Sequence, residues 1–162
     1  MTHFSRQAEH AARGAWLLFL TIPLLGMLAG CGTPNKASLV AEKQRLESAL
    51  QGTPAVLALD ADNRLGVDIP LRSCFDRGRA AVKPPLAKVL DRMAASQRDE
   101  TTRLLVRAPT DPGDKALGLA MRRAVTARDY LIERGLDASR FSVSAVPGSS
   151  TVKIVIATSA SP

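Results

Sequence analysis

Histidine is absent from this chain beyond His10, and the one tryptophan, Trp16, stands close by. Past residue 30 the aromatic side chains are Phe75, Tyr130 and Phe141, and the cysteines are Cys31 and Cys74. Each shortage removes a class of chemistry. Without histidine there is no Ser-His-Asp or Cys-His catalysis and no histidine-based zinc site, and Cys74 has no second thiol within the body of the chain for a disulfide or a cysteine cluster. Three aromatics give little stacking surface, so no nucleic-acid partner is expected. Catalysis could run only through carboxylates or lysine, and no arranged pair stands out; we expect neither an enzyme nor a cofactor. Asp60, Asp62 and Asp68 lack the ligand spacing and glycine of an EF-hand loop. We take them as turn and solvent-face residues and expect no metal.

What remains is a leader and room for one modest domain in 162 residues. Arg6 and Arg13 precede an uncharged run from Ala15 to Gly30, short for a membrane span and placed behind a basic segment, as in a secretory signal. Its ending, Leu28-Ala29-Gly30-Cys31, resembles the lipobox of bacterial lipoproteins. That resemblance implies cleavage before Cys31 and acylation, including palmitate, of Cys31. Each buried CH₂ of such chains contributes about 0.8 kcal/mol, so several chains anchor a protein stably without spanning the membrane. Gly32, where an Asp would be an inner-membrane retention signal, implies the outer membrane by the same resemblance. Removing Arg6, Arg13 and Glu9 from 22 basic and 15 acidic residues leaves 20 and 14, a net charge of +6. That balance fits an anionic wall or membrane surface, and equally plain solubility.

Three segments follow: residues 1–30 as leader, 31–54 as lipidated cysteine and tether, 55–162 as domain. Within the tether Leu39, Leu46 and Leu50 form a weak helical stripe ending at Gly52, either a free spacer or a helix packed on the domain. Ala55–Asp60 and Leu65–Leu71 are strand candidates around a turn, and Pro70 ends the second where a central ladder cannot continue. Leu86, Val89, Leu90 and Met93 recur at helical spacing behind Pro84 and Pro85, which suit a first helical turn. Cys74, just before them, reads as a small buried hydrophobe. Thr102–Ala108 is a strand. A long helix then begins near Asp114, with Leu117, Ala120, Ala124, Ala127 and Leu131 as its core stripe, Arg123 at the border, and Gly135-Leu136 as a left-handed cap. Phe141, Val143 and Ala145 alternate in one strand and Val152, Ile154 and Ile156 in another, with Pro147–Ser150 as a hairpin between them. The order β-α-β-α-β-β predicts an α+β two-layer sandwich, a mixed sheet with helices on one face.

Between the middle strand and the long helix stands Asp111, three helical turns ahead of Arg123. A fixed carboxylate beside a fixed guanidinium suits a ligand carrying an ammonium and a carboxylate, because each charge gains a charge-assisted hydrogen bond. The competing readings are a helix-start acid for Asp111 and a solvated helix charge for Arg123.

Phe75-Asp76-Arg77-Gly78-Arg79-Ala80 with Lys83-Pro84, then Thr110-Asp111, then Leu119, Arg123-Ala124 and Tyr130-Leu131 resemble the motifs of the OmpA-like C-terminal domain, over roughly residues 66–157. The family occurs in peptidoglycan-associated lipoproteins and in stator or porin anchors. The resemblance implies that Asp111 takes the ammonium and Arg123 the carboxylate of diaminopimelate in the peptidoglycan stem peptide, with Thr110, Gly113 and Asp114 as minor contributors. It thus implies an outer-membrane lipoprotein whose periplasmic domain tethers membrane to wall without covalent chemistry. The alternative is a degenerate domain that contacts another envelope protein instead. Departures lie in the ligand loop. Ala108-Pro109 replace the family's Gly-His, the loop from Asp111 to Arg123 is shorter, and its Asn is Ala116 or deleted. Ser150-Thr151 replace a late Arg-Arg.

Overall fold

The computed structural model describes residues 36–157 apart from Ala61 and Asn63, so the segment expected to be a leader and Cys31 lie outside the described residues. Helix α1 spans Lys36–Leu50, strands β1 and β2 Val56–Leu59 and Leu65–Pro70, and a single turn α2 Leu71–Cys74. Helix α3 spans Pro84–Gln97, β3 Arg103–Pro109, α4 Leu117–Glu133, β4 Phe141–Val146 and β5 Thr151–Ala157. Among the described residues the strands form one five-stranded sheet in the order β1-β2-β5-β3-β4. The β3–β4 pair is parallel and the others are antiparallel, which gives the expected mixed sheet.

Register explains the layering. Leu65 pairs with Ile156 and that residue with Leu104, while Val67, Ile154 and Val106 form the next row. Side chains alternate along a strand, so these rows share one face. All six belong to the core, together with Leu86, Val89, Leu90 and Met93 of α3 and Ala124, Ala127 and Leu131 of α4. Proline at the first two positions of α3 removes only N–H groups that have no helical partner. At the end of α4, Gly135 takes φ +97, its N–H donates to the Ile132 carbonyl, and the Leu136 N–H donates to the Leu131 carbonyl. This is the Schellman closure, with Leu136 buried beside Leu131 as its apolar clasp.

Three details differ from the sequence reading. The segment Pro147–Ser150 does not close a β4–β5 ladder: β4 pairs with β3, and β5 lies between β2 and β3. The reason is burial, because Val152, Ile154, Val155 and Ile156 are all buried and need a central position, whereas β4 is half-buried and serves as an edge. Leu117 is 46% exposed rather than on the core stripe, and α4 begins there rather than near Asp114. The stripe near its start is instead Ala120, Arg123 and Ala124.

The C-terminal half of α1 is docked. Leu46 and Leu50 enter the core, and burying each contributes about 1.5–3 kcal/mol. Arg92 of α3 donates to the Ala49 carbonyl at 3.0 Å and to that of Gln51, satisfying carbonyls at the helix end. The buried Gln97 donates to Glu42 at 2.7 Å. Asp60, Asp62 and Asp68 have the roles expected of them. Asp60 accepts from the Asp62 and Arg64 N–H groups in the turn, and Asp68 pairs with Lys153 at 3.3 Å. Among the described residues no cluster of three or more metal-ligating side chains occurs, and no helix is long and apolar enough to cross a membrane.

Candidate functional site

Strand β3 ends at Pro109, and the Thr110 N–H prolongs its parallel ladder by donating to the Val146 carbonyl at 3.3 Å. Asp111 therefore leaves the sheet at a fixed point. Its backbone carbonyl accepts from the Asp114 N–H in a tight turn whose Gly113 sits at φ +84. On α4, the alanines at 120, 124 and 127 let the helix lie close to the sheet, and Arg123 is on the same buried arc. Its long side chain reaches past the strand ends toward Asp111.

The two side chains meet each other. Arg123 Nη2 donates to Asp111 Oδ1 at 2.7 Å and to the Asp76 carbonyl at 3.2 Å. Its Nε–H donates to the Arg79 carbonyl at 2.9 Å and its Nη1 to the Pro109 carbonyl at 3.2 Å. Its guanidinium also lies 5.4 Å from the Phe75 ring centroid, within cation–π range. Four of the five guanidinium N–H groups thus have protein partners, and Arg123 has no exposed surface at all. The two heads expected to flank one ligand thus face each other, and Arg123 lies beneath the carbonyls of Asp76, Arg79 and Pro109.

Asp111 is different, at 9% exposed. Its Oδ2 accepts from the Gly78 N–H at 2.7 Å, and Gly78 makes this approach at φ +69. Burial pushes its carboxyl up, but the Gly78 N–H, the Arg123 hydrogen bond and charge, and the more distant Arg77 charge outweigh that and hold it below the usual carboxylate range. A carboxylate offers about four lone-pair positions, and two are taken here, so Asp111 stays ionised and can accept further donors.

Those donors would arrive through an open cleft of about 710 Å³. Asp111, Asp76, Arg72, Arg77 and Lys83 supply its charges, and Leu71, Phe75, Pro70 and Pro112 much of its apolar surface. Lys83 Nζ is held at 3.1 Å from both Asp76 Oδ1 and the Arg72 carbonyl. Thr110 is buried, while Gly113 and Asp114 lie on the exposed turn, and none of the three lines the cleft. A second cleft of about 460 Å³ runs between α1 and α3 and shares no residue with the first. Beside the cleft, Cys74 is buried and its thiol is pushed up to about 12 by desolvation, which makes it inert packing.

Sequence reasoning overlooked Gly78, Arg77 and Arg72. The Phe-Asp-Arg-Gly motif carried a usable signal, since a glycine three residues past a buried aromatic marks a backbone that must turn or approach something closely.

A sequence model described as the OmpA family matches residues 74–154. No curated protein matches the chain. Solved structures with this fold include a MotB-like protein from Desulfovibrio vulgaris, at 12% identity and TM-score 0.60, covering 75% of this chain and 97% of that one. The periplasmic domain of Helicobacter pylori MotB aligns at 21% identity and TM-score 0.56, over 68% of this chain and 83% of its own. The cell wall anchor of the T6SS from Pseudomonas aeruginosa does so at 21% and 0.55, over 77% and 98%. At these identities the likeness speaks for the fold, while the family match covers half the chain and includes α3, β3, α4, β4 and the Asp111–Arg123 pair; this chain belongs to the OmpA family.

Proposed function

We propose that this domain binds peptidoglycan noncovalently and that the chain, acylated at Cys31, tethers the outer membrane to the wall from the periplasmic side. One observation carries the reading: an ionised Asp111, braced by Arg123 and Gly78, opens onto a cleft large enough for a peptide fragment. Its task is to receive the stem-peptide ammonium. Thr110 fixes where Asp111 leaves the sheet, and Gly113 with Asp114 shape the turn beyond it. Family membership supports the reading, as does the likeness to a periplasmic domain and to a structure described as a cell wall anchor. The chemistry is binding, since the site has a held acid and bases but no nucleophile activated by a neighbour.

The sealing of Arg123 favours a second reading, a domain that has left the wall and contacts another envelope protein. Sedimentation of the detergent-solubilised full-length protein with purified sacculi separates them. Wild type pelleting while Asp111→Asn stays in solution supports wall binding; wild type staying in solution rejects it. Lipid anchoring is checked separately by radiolabelled palmitate, which Cys31→Ser must fail to incorporate.

A further inference from the structure

We propose that β4, a free edge of the sheet, pairs antiparallel with β4 of a second copy of this chain, and that the outer flanks of the two α4 helices pack together above the seam. The inference is independent of the wall-binding reading, since no residue lining the cleft at Asp111 lies on β4 or α4.

Backbone groups along β4 alternate in direction, and the ladder to β3 shows which are free. The Val146 carbonyl accepts from the Thr110 N–H, so the groups of Val146, Ser144 and Ser142 point to β3. Those of Phe141, Val143 and Ala145 therefore point outward in the plane of the sheet. Among the described residues the Ala145 carbonyl has only the Ser144 hydroxyl near it, at 3.5 Å. The strand reads FSVSAV, with no charge and no proline, two devices by which edge strands avoid other chains. The opposite edge, β1, offers only four residues.

The helix above is apolar on the matching side. On α4, which packs on both β3 and β4, Tyr130 and Arg134 turn toward Asp91 of α3, while Ala120, Ala124, Ala127 and Leu131 are buried toward the sheet. The helical repeat then sends Leu117, Met121, Val125 and Ile132 out over the free edge of β4. Leu117 and Met121 are 46% and 40% exposed there. A two-fold axis at Val143 makes this surface self-complementary. Val143 meets its own copy, Phe141 lies opposite Ala145, Ser142 lies opposite Ser144, and the outward N–H and C=O groups of all three odd-numbered residues find partners. Strands lie about 4.8 Å apart, so two helices that each straddle β3 and β4 stand two spacings apart, about 10 Å, which is contact distance for packed helices. Six strand residues and four helix residues a side fall short of the roughly 20 of a standard interface, so the dimer is a weak one that depends on concentration.

The experiment uses the full-length chain in detergent. For cross-linking, Cys31→Ser is combined with Ser142→Cys or with Ser144→Cys, which leaves the buried Cys74 as the one native thiol. Opposed residues of a non-hydrogen-bonded pair have Cα atoms about 4.5 Å apart, within disulfide range. A mixture of the two variants should therefore oxidise to a disulfide dimer, and either variant alone should do so several-fold less. Sedimentation equilibrium in density-matched detergent should show wild type passing from monomer to dimer as concentration rises. Ala145→Pro removes an outward N–H and leaves the β3 ladder intact, and Met121→Glu puts a charge on the helix flank; each should lower the association constant about tenfold or more. Should Ala145→Pro fail to fold, Met121→Glu, at an exposed position, decides the matter alone. Wild type that stays monomeric at every concentration, cross-linking of Ser142→Cys alone that equals the mixture, or a dimer undiminished by Met121→Glu overturns the inference.

Discussion

Replacing Arg123 by Met keeps most of the buried stem and removes the guanidinium. Its loss leaves the Asp111 carboxylate one partner short and strips the carbonyls of Asp76, Arg79 and Pro109 of their donor. The contacts to Pro109 and Asp111 are buried, so water replaces them poorly, and an orphaned buried acceptor costs about 1–3 kcal/mol. Water can partly satisfy the half-buried carbonyls of Asp76 and Arg79. Breaking a buried ion pair by deleting one member costs about 3–5 kcal/mol, which agrees with the sum of these parts. For a folded body of this size that corresponds to a fall in Tm of about 12–20 °C. Urea unfolding followed by circular dichroism measures it, with the exposed neighbour Arg122→Met as control, expected to change stability by less than about 0.5 kcal/mol. Arg123→Lys should recover little, because one ammonium cannot reach four acceptors spread around a planar fork. If Arg123→Met costs no more than the Arg122 control, the bracing role assigned to Arg123 is wrong.

Acid titration carries a definite sign. Asp111 is below its ordinary value near 3.8 in the folded state, so its stabilisation is complete above that value and lost as pH falls through the lowered folded pKa. Wild type should therefore lose stability below about pH 4 more steeply than Asp111→Asn, as followed by urea midpoints across that window. Cys74, with its thiol pushed up to about 12, should resist a thiol reagent at pH 8 until urea unfolds the chain; labelling at the native rate of a free thiol would contradict its burial. Gly78→Ala forces a Cβ into left-handed backbone and should cost about 1–2 kcal/mol by urea midpoint, with Gly78→Asn less affected. Leu46→Ala should cost about 2–5 kcal/mol if α1 belongs to the core, and a loss under about 0.5 kcal/mol would make α1 a loose spacer.

Local pattern made much of this fold legible. The apolar spacing of α3, the alternation in β2 and β5, and the Gly135-Leu136 closure are signals carried within a few residues, and each has its expected structure. Pairing order is another matter. That β5 sits beside β3 rather than β4 depends on which strand has two faces to bury, a comparison across the chain that a plausible turn at Pro147–Ser150 obscured. The burial of Arg123 was out of reach for a related reason. An arginine beside an alanine stripe looks like a solvated border charge, and what buries it are carbonyls 44 and 47 residues away in sequence. The docking of α1 likewise depends on Arg92 and Gln97, more than forty residues downstream. The position of Asp111 was legible because its strand-to-helix corner is local; the cations that share its cleft come from a different loop.

The place of β5 has a consequence for how the molecule assembles. In the sheet order it alone bridges the β1–β2 ribbon and the β3–β4 ribbon, yet it is the latest of the strands to leave the ribosome. Until it arrives the two ribbons share no ladder, and its partner Leu65 must wait for Ile156, some ninety residues on. Closing so long a loop before any reward makes folding slow and all-or-none. The sheet thus stays in two parts while the chain is being made, and it locks only once its final strand is free to enter.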